Sequence, residues 1–243
     1  MRAAVDEHVY IFHHVPKCGG TSMVQALESW FDVWWDYRPA WASGAALAQY
    51  EQSPLPLDDL APGTLVCGHF EMGGVKLAER YPQVWRDPRY RVFTFVRDPL
   101  QCRLSLLRYE LDNGRCGPAD VEERLLDRTD FIQRVLQVDP ARMDESLDRF
   151  FFVGITEDSA AGFDHLARRL GKPPLTLPRA NTTEARDLGL SRAALAEFRR
   201  RNAVDAALYA RCVARWEAVK AARGALAAAR RRDMQEVAHA GAV

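Results

Sequence analysis

The segment Tyr10-Ile11-Phe12-His13-His14-Val15-Pro16-Lys17-Cys18-Gly19-Gly20-Thr21-Ser22 constrains this chain more than any other stretch. A short apolar run of β type feeds a loop with two adjacent glycines, and Met23 to Trp30 then reads as a helix. Paired glycines let the backbone turn tightly and let a ligand approach with no Cβ in the way. The following helix presents unpaired N–H groups and about half a positive charge at its start. Such a place takes an anion, a phosphate or a sulfate. Lys17 adds a cation, and Thr21 and Ser22 add hydroxyl donors.

A second segment has the same grammar. Arg91 to Val96 is β-branched and aromatic, the pattern of a buried strand. It ends at Arg97-Asp98-Pro99, and a helical pattern follows through Leu100, Leu104, Leu107 and Leu111. Pro99 suits a first helical turn, where its missing N–H costs nothing. Arg97 therefore leaves the end of a strand, where an open α/β sheet binds ligands, and Ser105 lies two helical turns along. Between the two segments, Leu65-Val66-Cys67-Gly68-His69-Phe70 reads as a short buried strand ending in Gly-His.

Lys17 precedes the glycines, so the loop is not the Gly-x-x-x-x-Gly-Lys-Ser/Thr phosphate loop. The run from His14 to Ser22 instead resembles the 5′-phosphosulfate loop of sulfotransferases that use 3′-phosphoadenosine 5′-phosphosulfate (PAPS). Its form is that of the carbohydrate sulfotransferases related to heparan sulfate 2-O-sulfotransferase. Arg97-Asp98-Pro99 with Ser105 is similar to that family's 3′-phosphate site. The resemblance implies a P-loop-like, three-layer α/β fold, with a mostly parallel central sheet flanked by helices and a helical C-terminus. It implies that Lys17, Cys18, Gly19, Gly20, Thr21 and Ser22 hold the 5′-phosphosulfate, and that Arg97 and Ser105 hold the 3′-phosphate. An Arg fork suits phosphate because it donates two parallel hydrogen bonds.

In the family a Gly-His upstream of Arg-Asp-Pro carries the catalytic base, which falls on His69. An attacking hydroxyl must lose its proton, and an imidazole with an unperturbed pKa near 6.5 suits that task. His14 and His13, beside the anion loop, are rivals, and Glu71 is a weaker candidate. Lys17 would stabilise charge on the departing phosphate, and the resemblance calls for no metal. The stretch from Phe150 to Glu157 looks like the family's late strand, leading into an amphipathic helix through Phe163, Leu166 and Leu170. Asn181 and Thr183 lie in a segment similar to one that returns to the nucleotide, although turn or cap chemistry explains Asn-Thr-Thr equally well. Asp205, Leu208 and Tyr209 match a closing helix that serves packing.

Composition sharpens this reading. The chain has 243 residues, and Lys plus Arg balance Asp plus Glu at 33 each. A generic nucleic-acid partner is disfavoured. The length suits a single domain over residues 1–243. Arg80, Arg86 and Arg89 form a basic group that reads as a solvated face, or as steering for a polyanionic acceptor. Five scattered cysteines with no Cys-x-x-Cys pair argue against a zinc site. Cys18 reads as a spacer in the loop. No run of about 18 apolar residues occurs, so no transmembrane anchor is expected. A cytoplasmic protein is expected, and the Ala/Arg-rich composition points to a bacterial source.

Expected strands are 8–13, 64–68, 91–96 and 150–155. Residues 119–137 are expected to be helical, as is Ser191 to about Arg232 with Gly224 as a candidate break, and the weakly amphipathic 225–243 is expected either to fray or to pack on a partner. Four of the six tryptophans, Trp30, Trp34, Trp35 and Trp41, fall within twelve residues. Trp35 and Trp41 could stack on a sugar acceptor, and packing explains such a cluster as well. The acceptor implied by the resemblance is a hydroxyl on a carbohydrate or glycolipid. A nucleotide kinase or NTPase on the same sheet, or a non-catalytic nucleotide-binding protein, are the competing classes.

Overall fold

A computed structural model describes residues 6–37, 48, 50, 53–71, 75–177 and 187–240. Five strands form one sheet: β1 (Val9–His13), β2 (Asp32–Tyr37), β3 (Thr64–Gly68), β4 (Tyr90–Val96) and β5 (Phe152–Ile155). Their order is β2-β3-β1-β4-β5, and every neighbouring pair is parallel. All five residues of β1 and of β3 are buried. A strand buried at every position has both faces covered, which is why these runs read as continuously apolar rather than alternating.

The covering helices are α1 (Gly20–Leu27), α2 (Leu77–Arg80), α3 (Pro99–Asp112), α4 (Val121–Leu126), α5 (Phe131–Leu136), α6 (Met143–Asp148), α7 (Ser159–Leu170), α8 (Arg192–Arg201) and α9 (Ala203–Ala240). On one face, Phe12, Phe93, Phe95 and Phe152 form a row of rings across β1, β4 and β5. Phe163 of α7 stacks on Phe95, and Trp30 packs on Phe163. An added Cβ at Gly154 would meet the Phe95 ring at 2.3 Å, so this glycine makes room for the ring on which Phe163 of α7 stacks. Among the described residues no helix is long and apolar enough to cross a membrane.

Several expectations need correction. Residues 32–37, expected only as an aromatic cluster, form the edge strand β2. Trp30 is held in the core, donating from Nε1 to the Pro173 carbonyl at 3.0 Å, and Trp34 is 42% exposed. Residues 119–137 are not one helix, because Asp130 adopts a left-handed backbone (φ 44°) that separates α4 from α5. The break in the C-terminal helical region falls at Asn202, not Gly224, and α9 is continuous from Ala203 to Ala240. Asn202 supplies the reason: its side chain accepts from the Asp130 N–H and donates to the Phe198 carbonyl, so it ends α8 by tying it to the 127–130 turn.

Of the Arg80–Arg86–Arg89 group, Arg86 is exposed, whereas Arg80 and Arg89 are held by protein partners. The Arg80 and Asp36 side chains are each 2% exposed and form a two-pronged pair at 2.7 and 2.8 Å. The Arg80 guanidinium also stacks 3.7 Å above the Tyr50 ring, and Tyr81 donates its hydroxyl to Asp36. Arg89 donates to the carbonyls of Asp58 and Leu60. Charge spacing in the sequence gave no sign that Asp36, at the end of the unforeseen strand, was waiting for a cation.

Candidate active site

Strand order places β1 between β3 and β4, so the loop that leaves β1 is flanked by whatever follows those two strands. His69 follows β3 and Arg97 follows β4. The chain runs to one side of β1 for β2 and β3 and to the other for β4 and β5, which makes this the switch point where open α/β sheets bind ligands.

The loop itself, Val15 to Gly19, is shaped by left-handed residues at Lys17 (φ 64°) and Gly19 (φ 80°). Lys17 is the costly one, since a side chain disfavours that region by about 1–2 kcal/mol. Neighbours hold it there. Arg97 donates to the Lys17 carbonyl at 3.3 Å, the Cys102 thiol to the Pro16 carbonyl at 3.4 Å, and the Thr156 hydroxyl to the Cys18 carbonyl at 3.0 Å. Thr156 belongs to the late-strand motif, whose Glu157 accepts from the Asp98 N–H at 3.0 Å. Sequence reading singled out neither Cys102 nor Thr156 as a support of the loop.

Helix α1 starts at exposed Gly19 with no side-chain cap. By contrast Asp98 caps α3 through Gln101, and Ser191 caps α8 through Ala194. The N-cap residue of α1 thus offers no side-chain acceptor to the opening N–H groups, and Thr21 lies at the surface beside them. Cys18 is buried, and burial, with a hydrogen bond from its thiol to Cys102, raises its thiol pKa well above the usual value. That suits a spacer and not a nucleophile.

Ser105 is buried on α3, between Cys102, which touches Pro16, and Tyr109, whose ring lies 4.7 Å from Lys17 Nζ. Residues three and four apart share a helix face, so Ser105 lies on the stripe of α3 that faces the loop. Arg97, Ser105 and Lys17 therefore gather on the β4 side. Burial, with the Arg97 charge adding to it, lowers the Lys17 pKa.

Histidines gather on the β3 side. The β1–β3 register pairs His13 with Gly68, and the His14 N–H donates to the Gly68 carbonyl at 3.1 Å. One step further, His14 and His69 meet with ring centroids 4.1 Å apart. His69 Nδ1 lies 3.5 Å from Glu71 Oε1. Glu71 lies beside Nδ1 without forming a hydrogen bond to it, and Nδ1 is buried with no hydrogen-bond partner. His14 stacks on Phe12 at 5.7 Å and 8°. Its pKa is lowered well below the usual value by burial and then by His69, His13 and Lys17. His13 is wholly buried against Phe70, and burial lowers its pKa to about 3. Both of these rings are uncharged at neutral pH. Among the described residues no group of three or more His, Cys, Asp or Glu is arranged to hold a metal ion.

No protein-family model and no curated protein matches the chain. Among solved structures it is similar to a sulfotransferase from Alicyclobacillus acidocaldarius, at 15% identity over 89% of this chain and 96% of that one, with a TM-score of 0.46. It is also similar to mouse sulfotransferase SULT7A1 complexed with PAP, at 14% identity over 81% of this chain and 66% of that one, with a TM-score of 0.42.

The two loop glycines have different tasks. Gly19 has the left-handed backbone expected of a turn glycine. A Cβ on Gly20 would lie 1.8 Å from His14 Nε2, so the absent side chain makes room for an imidazole and not for a ligand. Gly20→Ala is expected to destabilise the protein by about 1–3 kcal/mol in urea denaturation, because the ring held by Phe12 and His69 must leave its place. Helix propensity alone works the other way, favouring Ala by about 1 kcal/mol. An Ala variant as stable as the parent would mean that the ring yields easily.

Trp35 pairs with Cys67 near the end of β2 and is partly buried against the core, one strand beyond His69. Trp41, Asn181 and Thr183 lie outside the described residues.

Proposed function

We propose that this chain is a PAPS-dependent sulfotransferase that moves a sulfuryl group to an acceptor hydroxyl on a carbohydrate or glycolipid. One observation carries the reading: the uncapped start of α1 stands between a cationic flank, Arg97 with Lys17 and Ser105, and a basic flank, His69 with Glu71. A nucleotide with phosphates at both its 5′ and 3′ positions needs two anion cradles, and a sulfuryl acceptor needs a base beside one of them. The sequence resemblance from His14 to Ser22, and from Arg97 to Ser105, supports the same assignment.

Bound PAPS supplies an activated sulfuryl group on a phosphate leaving group. The opening N–H groups of α1 and the Thr21 and Ser22 hydroxyls hold the 5′ end, while Arg97 and Ser105 hold the 3′-phosphate. His69 takes the acceptor proton at Nε2 as the acceptor oxygen bonds to sulfur in line with the departing S–O bond. Glu71, beside Nδ1, steadies the ring. Lys17 stabilises charge growing on the leaving phosphate oxygen, its flexible stem carrying the ammonium across from the Tyr109 ring. His14 and His13, uncharged, keep the base side free of a competing cation.

Incubation with labelled PAPS and a panel of sugars and glycolipids tests the activity directly, and transfer to none of them counts against it. The 3′ cradle has its own test. A charge-assisted hydrogen bond contributes about 1.5–3 kcal/mol, so adenosine 3′,5′-bisphosphate is expected to bind at least about tenfold tighter than AMP by calorimetry. Equal affinities would remove Arg97 and Ser105 from this role.

A further inference from the structure

We propose that a small inorganic anion of halide size binds behind the β1–α1 loop, between Lys17, Arg103 and Arg128. A cavity of about 20 Å³ lies there, bounded by these residues together with Pro16, Phe131 and Asp205. From α3 it is bounded by Pro99, Cys102, Arg103 and Leu106, so it adjoins the Cys102 edge of the stripe that carries Ser105.

Arg103 is the reason for an anion. Its side chain is 5% exposed, and Nη2 donates to Asp127 at 2.6 Å. The other two donors, Nε and Nη1, are buried with no hydrogen-bond partner. Buried guanidinium donors left unmade are costly, and nearly all such groups in folded proteins find an acceptor. Burial lowers the Arg103 pKa, Asp127 and Glu110 offset part of this, and Arg128 adds to it.

Asp205 does not supply the missing acceptor. Its two oxygens already accept the N–H groups of Ile132 and Gln133 at 2.9 and 2.7 Å. The cavity wall thus carries Lys17, Arg103 and Arg128 against the engaged carboxylate of Asp205, with Asp127 paired to Arg103, which leaves one positive charge in excess. Its volume has room for a sphere of about the size of water or a halide. A water would satisfy the donors but leave the excess positive charge, which is why the anion is favoured.

Melting curves in sodium chloride and in sodium gluconate, at constant ionic strength, test this together with bromide-soaked crystals. The expected result is a saturable rise in Tm in chloride over gluconate, as for any ligand that binds only the folded state. That rise is lost in Arg103→Met and needs several-fold more chloride in Arg128→Gln. An anomalous bromide peak is expected within hydrogen-bonding reach of Arg103 Nε or Nη1. Identical curves in the two salts, or no anomalous peak beside Arg103, would overturn the proposal. A bromide peak without chloride-dependent stabilisation would mark an adventitious ion and overturn it too. Should Arg103→Met not fold, the exposed Arg128→Gln and the bromide map decide.

Discussion

Replacing His69 with alanine is expected to lower turnover by about 10²–10⁴-fold, the usual contribution of a positioned general base, while the protein remains folded. The assignment rests on contrasts among three neighbouring imidazoles. His13 is wholly buried, and burial that depresses its pKa to about 3 leaves it too weak a base at neutral pH. His14 is clamped between Phe12 and Gly20, with its pKa depressed well below the usual histidine value. His69 has the Glu71 carboxylate 3.5 Å from Nδ1, close enough for a small movement of either side chain to form a hydrogen bond. Steady-state kinetics with labelled PAPS would check this. Near-normal turnover in His69→Ala would pass the role to His14, and His14→Ala would then show the large loss.

Arg80→Met is expected to cost about 3–5 kcal/mol of stability, a large part of the 5–15 kcal/mol typical of a folded domain. Both partners of the Arg80–Asp36 pair are almost fully enclosed, and removing the cation strands a carboxylate that cannot reach water. Surface pairs such as Arg142–Asp139 contribute at most about 1 kcal/mol and make the appropriate control. Urea denaturation gives the comparison. Arg80→Met combined with Asp36→Asn should recover much of the loss, since no stranded charge remains. A loss below about 1 kcal/mol in the single variant would mean that the pair is solvated. The consequence reaches the site, because a Cβ added at Gly68, the residue before His69, would already lie 3.4 Å from the Asp36 Cβ.

Much of the sheet was legible in the chain. Four of the five strands were foreseen because strands buried on both faces are continuously apolar, and 8–13, 64–68 and 91–96 carry that signal. The fifth, β2, was hidden: Asp32, Trp34 and Asp36 give an edge strand a mixed face that looks like a loop with aromatics. The turn at Asp130 was equally hidden, because nothing local marks an aspartate for a left-handed backbone when the groups holding it, Asn202 and Asp205, lie more than seventy residues away.

By itself the sequence determined the strand–loop–helix units and the residue types at their junctions: glycines, Lys17, a histidine after β3, and an arginine after β4. Local geometry is enough for that, since strand burial, turn chemistry and helix starts depend on neighbours a few residues apart. Only the tertiary structure decided that β1 stands between β3 and β4, so that His69 and Arg97 flank one loop. It alone decided that Gly20 makes room for His14, that Arg80 is enclosed rather than solvated, and that Arg103 keeps two donors unmet. Those outcomes depend on burial and on partners distant in sequence, quantities that no local pattern encodes.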